Sequence, residues 1–244
     1  MSSHLKKIFL ATIYNDILTA RAEEKKLLAV LIDPEKTPPS QIARIATAIR
    51  SSPATHIFVG GSTFEGQMEP LVSELRKIGL PVIIFPGHPS QISPLADALL
   101  LLFLASGRNP DYLIGHHVQA APKLKDANIQ ILPTGYILVD GGNGSAVARV
   151  TGTTPIHDST TIVNSAMACE MLGQKLIYLE AGSGALQPVE SEIIRRVCSA
   201  VSIPVIVGGG IRSMQAIQSA YDAGAQMVVI GTAFEQNPEF FNHA

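Results

Sequence analysis

Eight short apolar runs rich in Val, Ile and Leu recur through the 244-residue chain, at 27–32, 56–59, 82–85, 99–104, 129–139, 176–179, 205–207 and 227–230. Segments with helical spacing of their apolar residues alternate with them, at 41–50, 69–78, 110–121, 160–172, 190–201 and 214–223. Strands joined through helices run parallel, because each crossover returns the chain to the same end of the sheet. Eight such strands predict a (β/α)8 TIM barrel, and the length suits a single domain over 1–244. A doubly wound sheet is the competing fold, but it has no natural place for a Gly-rich turn after both of the last two strands.

One crossover breaks the pattern. Pro86, Pro89 and Pro94 stand between the third and fourth strands, and proline removes a backbone donor and clashes within a helix. The third helix is therefore expected to be missing or replaced, leaving an opening in the outer ring where a long apolar ligand could lie. Ahead of the first strand, Leu5, Phe9, Ile13 and Ile17 recur at helical spacing. They predict an N-terminal helix at about 4–23, either packed on the barrel or touching a membrane surface.

Composition excludes several classes. A net charge of −2 gives no general attraction to nucleic acid. Cys169 and Cys198 have no metal-like spacing and suit a reducing compartment. The polar, basic residues 1–7 lead into no apolar core with a cleavage site, so a secretory signal is not expected. The longest apolar run, 98–105, is far short of the roughly 20 residues of a spanning helix. A cytoplasmic protein without a transmembrane segment is expected.

Three small-residue turns close the last three strands: Tyr178-Leu-Glu-Ala-Gly-Ser-Gly184, Val207-Gly-Gly-Gly-Ile-Arg212 and Ile230-Gly-Thr232. Glycine lets backbone N–H groups approach a ligand with no side chain in the way, and the loops after strands seven and eight of such barrels commonly hold a phosphate. Gly208, Gly209 and Gly210 lead toward a helix near Ser213, and Gly231-Thr232 toward the last one. Both helix N-termini are expected to aim at one dianion; a tight strand-to-helix turn needs glycine in any case.

Period-two alternation puts Tyr178 and Glu180 on one face of strand six. A phenol and a carboxylate at the mouth suit polyol hydroxyls; the other reading is a core Tyr and a rim Glu in an ordinary salt bridge. Strand one ends Leu31-Ile-Asp-Pro-Glu-Lys36, and strand two ends Val59-Gly-Gly-Ser-Thr63. Asp33 can hold Mg²⁺, which takes one or two protein oxygens beside substrate phosphates, or it can simply start the turn before Pro34. His116 and His117 read as surface or interface residues, since no third metal ligand is evident.

Leu31–Lys36, Gly60-Gly-Ser62, Ser106-Gly-Arg-Asn-Pro110, Tyr178–Gly184, Gly208-Gly-Gly-Ile-Arg212 and Gly231-Thr232 closely resemble the geranylgeranylglyceryl phosphate synthases, relatives of bacterial heptaprenylglyceryl phosphate synthases. The resemblance implies a barrel lacking its third helix. It also implies transfer of a prenyl group from a prenyl diphosphate to the C3 hydroxyl of sn-glycerol 1-phosphate, releasing pyrophosphate. By position it implies Mg²⁺ at Asp33 and Ser62, and glycerol phosphate at Tyr178, Leu179, Glu180, Ala181, Gly182, Ser183, Gly184, Gly209, Gly210, Gly231 and Thr232. Glu180 is the expected proton acceptor, with Lys36 and Arg212 as candidate helpers. Leu31 stands where some members carry Lys, which, with Gly-Gly-Ser, points to the larger-loop branch and a C20 chain.

The segment 106–115 resembles the one through which that branch associates, so a homo-oligomer, dimer or hexamer, is expected; Asn109 and Pro110 also read as a helix cap and first position. Two rivals remain: an isomerase or lyase acting on a sugar phosphate, and a barrel that only binds a phosphorylated ligand. The first wants Lys or Asp acid–base pairs at several strand ends, where strands two, three, four and seven have none. The second would have no need of Asp33 and Glu180.

Overall fold

In a computed structural model, which describes residues 12–64 and 66–241, eight parallel strands close into a barrel in chain order. They are β1 (Leu27–Ile32), β2 (His56–Val59), β3 (Val82–Ile84), β4 (Ala98–Leu104), β5 (Gln130–Leu138), β6 (Leu176–Glu180), β7 (Val205–Gly208) and β8 (Met227–Ile230). Closure comes from β1 pairing with β8, Val30 opposite Ile230.

The outer layer holds α2 (Pro39–Arg50), α3 (Glu69–Arg76), α4 (Gly115–Ala127), α6 (Ser159–Met171), α7 (Ser191–Ala200) and α8 (Met214–Asp222), preceded by α1 (Thr12–Ala22). Two shorter helices are α5 (Ala146–Thr151) and α9 (Thr232–Gln236). Outward residues such as Val30, Ile57, Ile84, Ile137 and Leu179 pack against this layer. Inward ones such as Ala29, Phe58, Ile83, Leu100, Tyr136 and Tyr178 fill the lumen.

α1 seals one end of that lumen. Ile13, Ile17 and Ala20 are buried among Leu27, Ala98, Leu132 and Leu176 near the strand starts, and the Tyr14 N–H reaches Gln130 Oε1 at 3.2 Å. This face is committed to the barrel, so the membrane-touching reading fails for it; Leu5 and Phe9 lie outside the described residues.

Between β3 and β4 only a single 3-10 turn, Pro89–Gln91, replaces the crossover helix. The Gln91 side chain pins it, its amide donating to the Gly61 and Phe64 carbonyls at 2.7 and 2.8 Å. β3 pairs with β4 only at Ile83–Ala98 and Ile84–Leu99, whereas β5 follows β4 over its whole length. Beyond Leu99, β4 thus overhangs its shorter neighbour, and Leu101, Leu102 and Phe103 stay only half-buried. Among the described residues no helix is long and apolar enough to cross a membrane.

Candidate active site

A cavity of about 250 Å³ opens at the carboxyl ends of the strands. Its polar end is lined by Asp33, Ser62, Glu180, Ser183, Gly209 and Thr232, and its apolar arm runs past Leu99, Leu101, Leu102 and Ala120. The arm touches residues from both faces of β4. It therefore leaves the lumen through the wall where the third helix is missing.

Glu180 is the last residue of β6, between Leu138 of β5 and Gly208 of β7. It is 6% exposed, and its Oε1 accepts the Gly182 N–H at 2.7 Å. Among the described residues no cation pairs with it, so the rim salt bridge is not formed. Burial, only partly offset by the Gly182 N–H and the neighbouring Tyr178, raises its pKa from 4.5 to about 7, which suits a proton acceptor near neutrality.

Gly209 makes room for this carboxylate: φ is +82°, and a Cβ there would stand 2.4 Å from Glu180 Oε1. Tyr178 lies below, fully buried. Its ring stacks on Phe85 at 5.1 Å with an 11° interplanar angle and meets Tyr136 at 5.4 Å. Among the described residues the Tyr178 hydroxyl finds no hydrogen-bond partner of ordinary geometry, although Glu180 is close. An unpaired buried phenol beside a carboxylate can take a substrate hydroxyl.

The expected phosphate residues converge unevenly. Ser183 Oγ and Thr232 Oγ1 meet at 3.4 Å, so the β6 and β8 turns share one corner. Arg212 braces it, donating to the Gly184 and Leu186 carbonyls at 3.2 Å each. Leu179 and Ala181, in contrast, pack into the outer core, and Gly182 contributes its N–H to Glu180; none of these three lines the cavity.

The two helix N-termini also differ from expectation. Ser213 caps α8 with its own hydroxyl, accepting the Ala216 N–H at 3.1 Å, and Ser213 and Ala216 border a separate depression outside the cavity. α9 is five residues long, too short for a sizeable dipole. Any anion here would be held by turn amides and hydroxyls.

On the opposite rim, Asp33 Oδ1 accepts the Glu35 N–H at 3.0 Å, and Oδ2 faces Lys36 Nζ at 3.1 Å. Asp33 thus both starts the turn and presents a carboxylate to the cavity. Gly61 packs against it, since a Cβ there would lie 2.6 Å from Oδ1. Glu235, on α9, was not singled out by any motif; it accepts the Asp33 N–H at 3.0 Å and approaches Lys36 at 3.7 Å. Burial opposes the charge on Lys36, but Glu235 and Asp33 outweigh it and raise its pKa. Among the described residues no cluster of three or more His, Cys, Asp or Glu could hold a metal alone.

His116 and His117 line the apolar arm rather than a free surface. His117 Nε2 donates to the Leu102 carbonyl at 2.8 Å, and His116 sits edge-on to His88 and Tyr112. Asn109 does cap the 3-10 turn Pro110–Tyr112, with Pro110 first in it, while α4 itself begins only at Gly115.

The PcrB family pattern matches residues 20–243. A geranylgeranylglyceryl phosphate synthase of Flavobacterium johnsoniae is 52% identical over 98% of this chain and 100% of its own. One from Zunongwangia profunda is 53% identical over 93% and 98%. The crystal structure of the (S)-3-O-geranylgeranylglyceryl phosphate synthase of Thermoplasma acidophilum, in complex with sn-glycerol-1-phosphate, superposes with a TM-score of 0.88 at 37% identity, covering 95% of this chain and 94% of that one. With the family pattern spanning nearly the whole barrel and relatives this similar end to end, the chain belongs to the PcrB family.

Proposed function

We propose that this protein joins a prenyl diphosphate to the C3 hydroxyl of sn-glycerol 1-phosphate. The observation that carries the reading is one cavity with two unlike ends: a glycine-rich polar corner around a carboxylate of pKa about 7, and an apolar arm leaving through the gap after β3. A small phosphorylated polyol fits the first and an isoprenoid tail the second. The relatives' names agree with this assignment.

Glycerol phosphate would place its phosphate against the turn amides and the hydroxyls of Ser183 and Thr232, with Tyr178 and Glu180 meeting its hydroxyls. The bond between prenyl C1 and the diphosphate oxygen breaks, and a bond from C1 to the glycerol C3 oxygen forms. The hydroxyl proton passes to Glu180, and pyrophosphate leaves. Such a base contributes about 10²- to 10⁴-fold. The rings of Phe85, Tyr136 and Tyr178 line the same cavity and offer π-faces to the allylic cation character that develops at C1.

The donor set on the β1–β2 rim fits Mg²⁺ shared with a diphosphate: one carboxylate, Asp33, whose Oδ2 meets the half-exposed ammonium of Lys36, and the Ser62 hydroxyl, which lines the same cavity. When bound there the ion would supply Lewis-acid neutralisation of the leaving group. Lys36, freed from Asp33, would remain close enough to add a second positive charge.

The preferred chain is C20, as the branch resemblance implies. The assembly is a homo-oligomer, dimer or hexamer; Ile114 and Val118, 59% and 66% exposed on successive turns around the start of α4, give it an apolar contact. Light scattering tests this point, a monomer at working concentration contradicting it. The activity is tested by incubating the protein with labelled sn-glycerol 1-phosphate and geranylgeranyl diphosphate, with and without Mg²⁺, and looking for ether-linked product.

A further inference from the structure

Glu235 draws together two parts of the cavity that sequence places at opposite ends of the chain. It lies one turn past Gly231, on a helix whose Phe234 and Glu235 N–H groups return to the Gly231 carbonyl at 2.9 and 3.0 Å. Its backbone is thus rigidly tied to the turn that presents Thr232. Its side chain is only 11% exposed and crosses to the end of β1.

The β1–β8 ladder ends at Val30–Ile230. Beyond it, the Asp33 N–H has no strand to donate to, and Glu235 Oε1 accepts it at 3.0 Å. Oε2 of the same carboxylate stands 3.7 Å from Lys36 Nζ, which also meets Asp33 Oδ2 at 3.1 Å. One carboxylate therefore sets the backbone of Asp33 and gives Lys36 a partner that does not occupy the cavity-facing Asp33 oxygen. Lys36 is 49% exposed, so without that partner its position is weakly defined.

We propose that Glu235 is a positioning residue for the diphosphate corner, holding Asp33 and Lys36 in register with the turn that carries Gly231 and Thr232. This rests on the prenyl-transfer reading and deepens it. Glu235 borders the cavity, but its two oxygens are turned to the Asp33 N–H and to Lys36, so it acts through the two groups assigned to the leaving pyrophosphate. Removing it should weaken that end of the cavity selectively, because the glycerol phosphate corner is also built by the β6 and β7 turns.

The test is calorimetric titration of the full chain with pyrophosphate, with and without Mg²⁺, and separately with sn-glycerol 1-phosphate. Glu235→Ala should weaken Mg²⁺-dependent pyrophosphate binding about tenfold or more, as loss of an outer support commonly does, and leave glycerol phosphate binding unchanged. Glu235→Gln keeps an acceptor for the Asp33 N–H and should show a smaller loss in the same direction, with KM for the prenyl diphosphate rising in parallel. Equal weakening of both ligands, or unchanged pyrophosphate binding in Glu235→Gln together with Glu235→Ala, overturns the proposal. Wild-type protein that binds neither ligand overturns the prenyl-transfer reading and this inference with it.

Discussion

Replacing Glu180 by Gln should abolish catalysis and stabilise the protein at the same time. The carboxylate has been raised from 4.5 to about 7 chiefly by burial, which at about 1.4 kcal/mol per pH unit means that ionising it costs the folded state about 3 kcal/mol relative to the unfolded chain. The sign follows from proton uptake. Between pH 4.5 and 7 the folded state binds the proton that the unfolded state has released, so wild-type stability falls as pH rises through this window and then levels off. Gln carries no charge, keeps an oxygen for the Gly182 N–H, and escapes the penalty. At pH 8 the variant should be more stable by about 3 kcal/mol, about 6–12 °C in Tm for a chain of this size. At pH 5 the gap should shrink below about 1 kcal/mol. Calorimetric melts of both proteins at the two pH values, alongside steady-state turnover, check this. A variant less stable at pH 8, a gap independent of pH, or near-native turnover would mean that Glu180 is neither a buried charge of raised pKa nor the proton acceptor.

Three further outcomes follow from the same geometry. The pH profile of kcat/KM should show an acid limb with a pKa near 7, activity falling as Glu180 protonates; a flat profile from pH 5 to 8 contradicts its role. Gly209→Ala forces a side chain into a left-handed backbone, φ +82°, with its Cβ 2.4 Å from Glu180 Oε1; a melt should show about 1–2 kcal/mol lost and turnover should drop at least about tenfold. Ala120→Trp fills the apolar arm from α4 and should shift a panel of C10 to C35 diphosphates toward shorter chains while KM for glycerol phosphate stays constant, at a packing cost of about 1–3 kcal/mol.

Most of the barrel was legible because its strands are predominantly apolar, and most of them carry Val or Ile. The bounds 27–32, 56–59 and 227–230 coincide with β1, β2 and β8, and the prolines at 86, 89 and 94 did mark the missing helix. α5 was not, since it is six residues long and follows the loop-like run Gly141-Gly-Asn-Gly144; its Ser145 cap was the available signal. That the N-terminus of α8 borders a separate depression had a signal too, because Ser213 is a strong capping residue that takes up its own helix's amide.

The site was legible where strand alternation governs it, as for Tyr178 and Glu180, and where glycine marks a close approach, as at Gly209. It was opaque where contact depends on three-dimensional closure. Glu235 meets Asp33 across 202 residues, and no local pattern announces a carboxylate one turn past the Gly231-Thr232 turn. His117 looked like a surface residue because its partner, the Leu102 carbonyl, is left open only by the unequal lengths of β3 and β4.

The most direct test offers labelled glycerol 1-phosphate of either handedness together with geranylgeranyl diphosphate and Mg²⁺. An ether-linked prenylglyceryl phosphate should form from the sn-1 form alone, with stoichiometric pyrophosphate and almost none of either from Glu180→Gln. Release of pyrophosphate without ether product, or no reaction with any prenyl diphosphate, would contradict prenyl transfer.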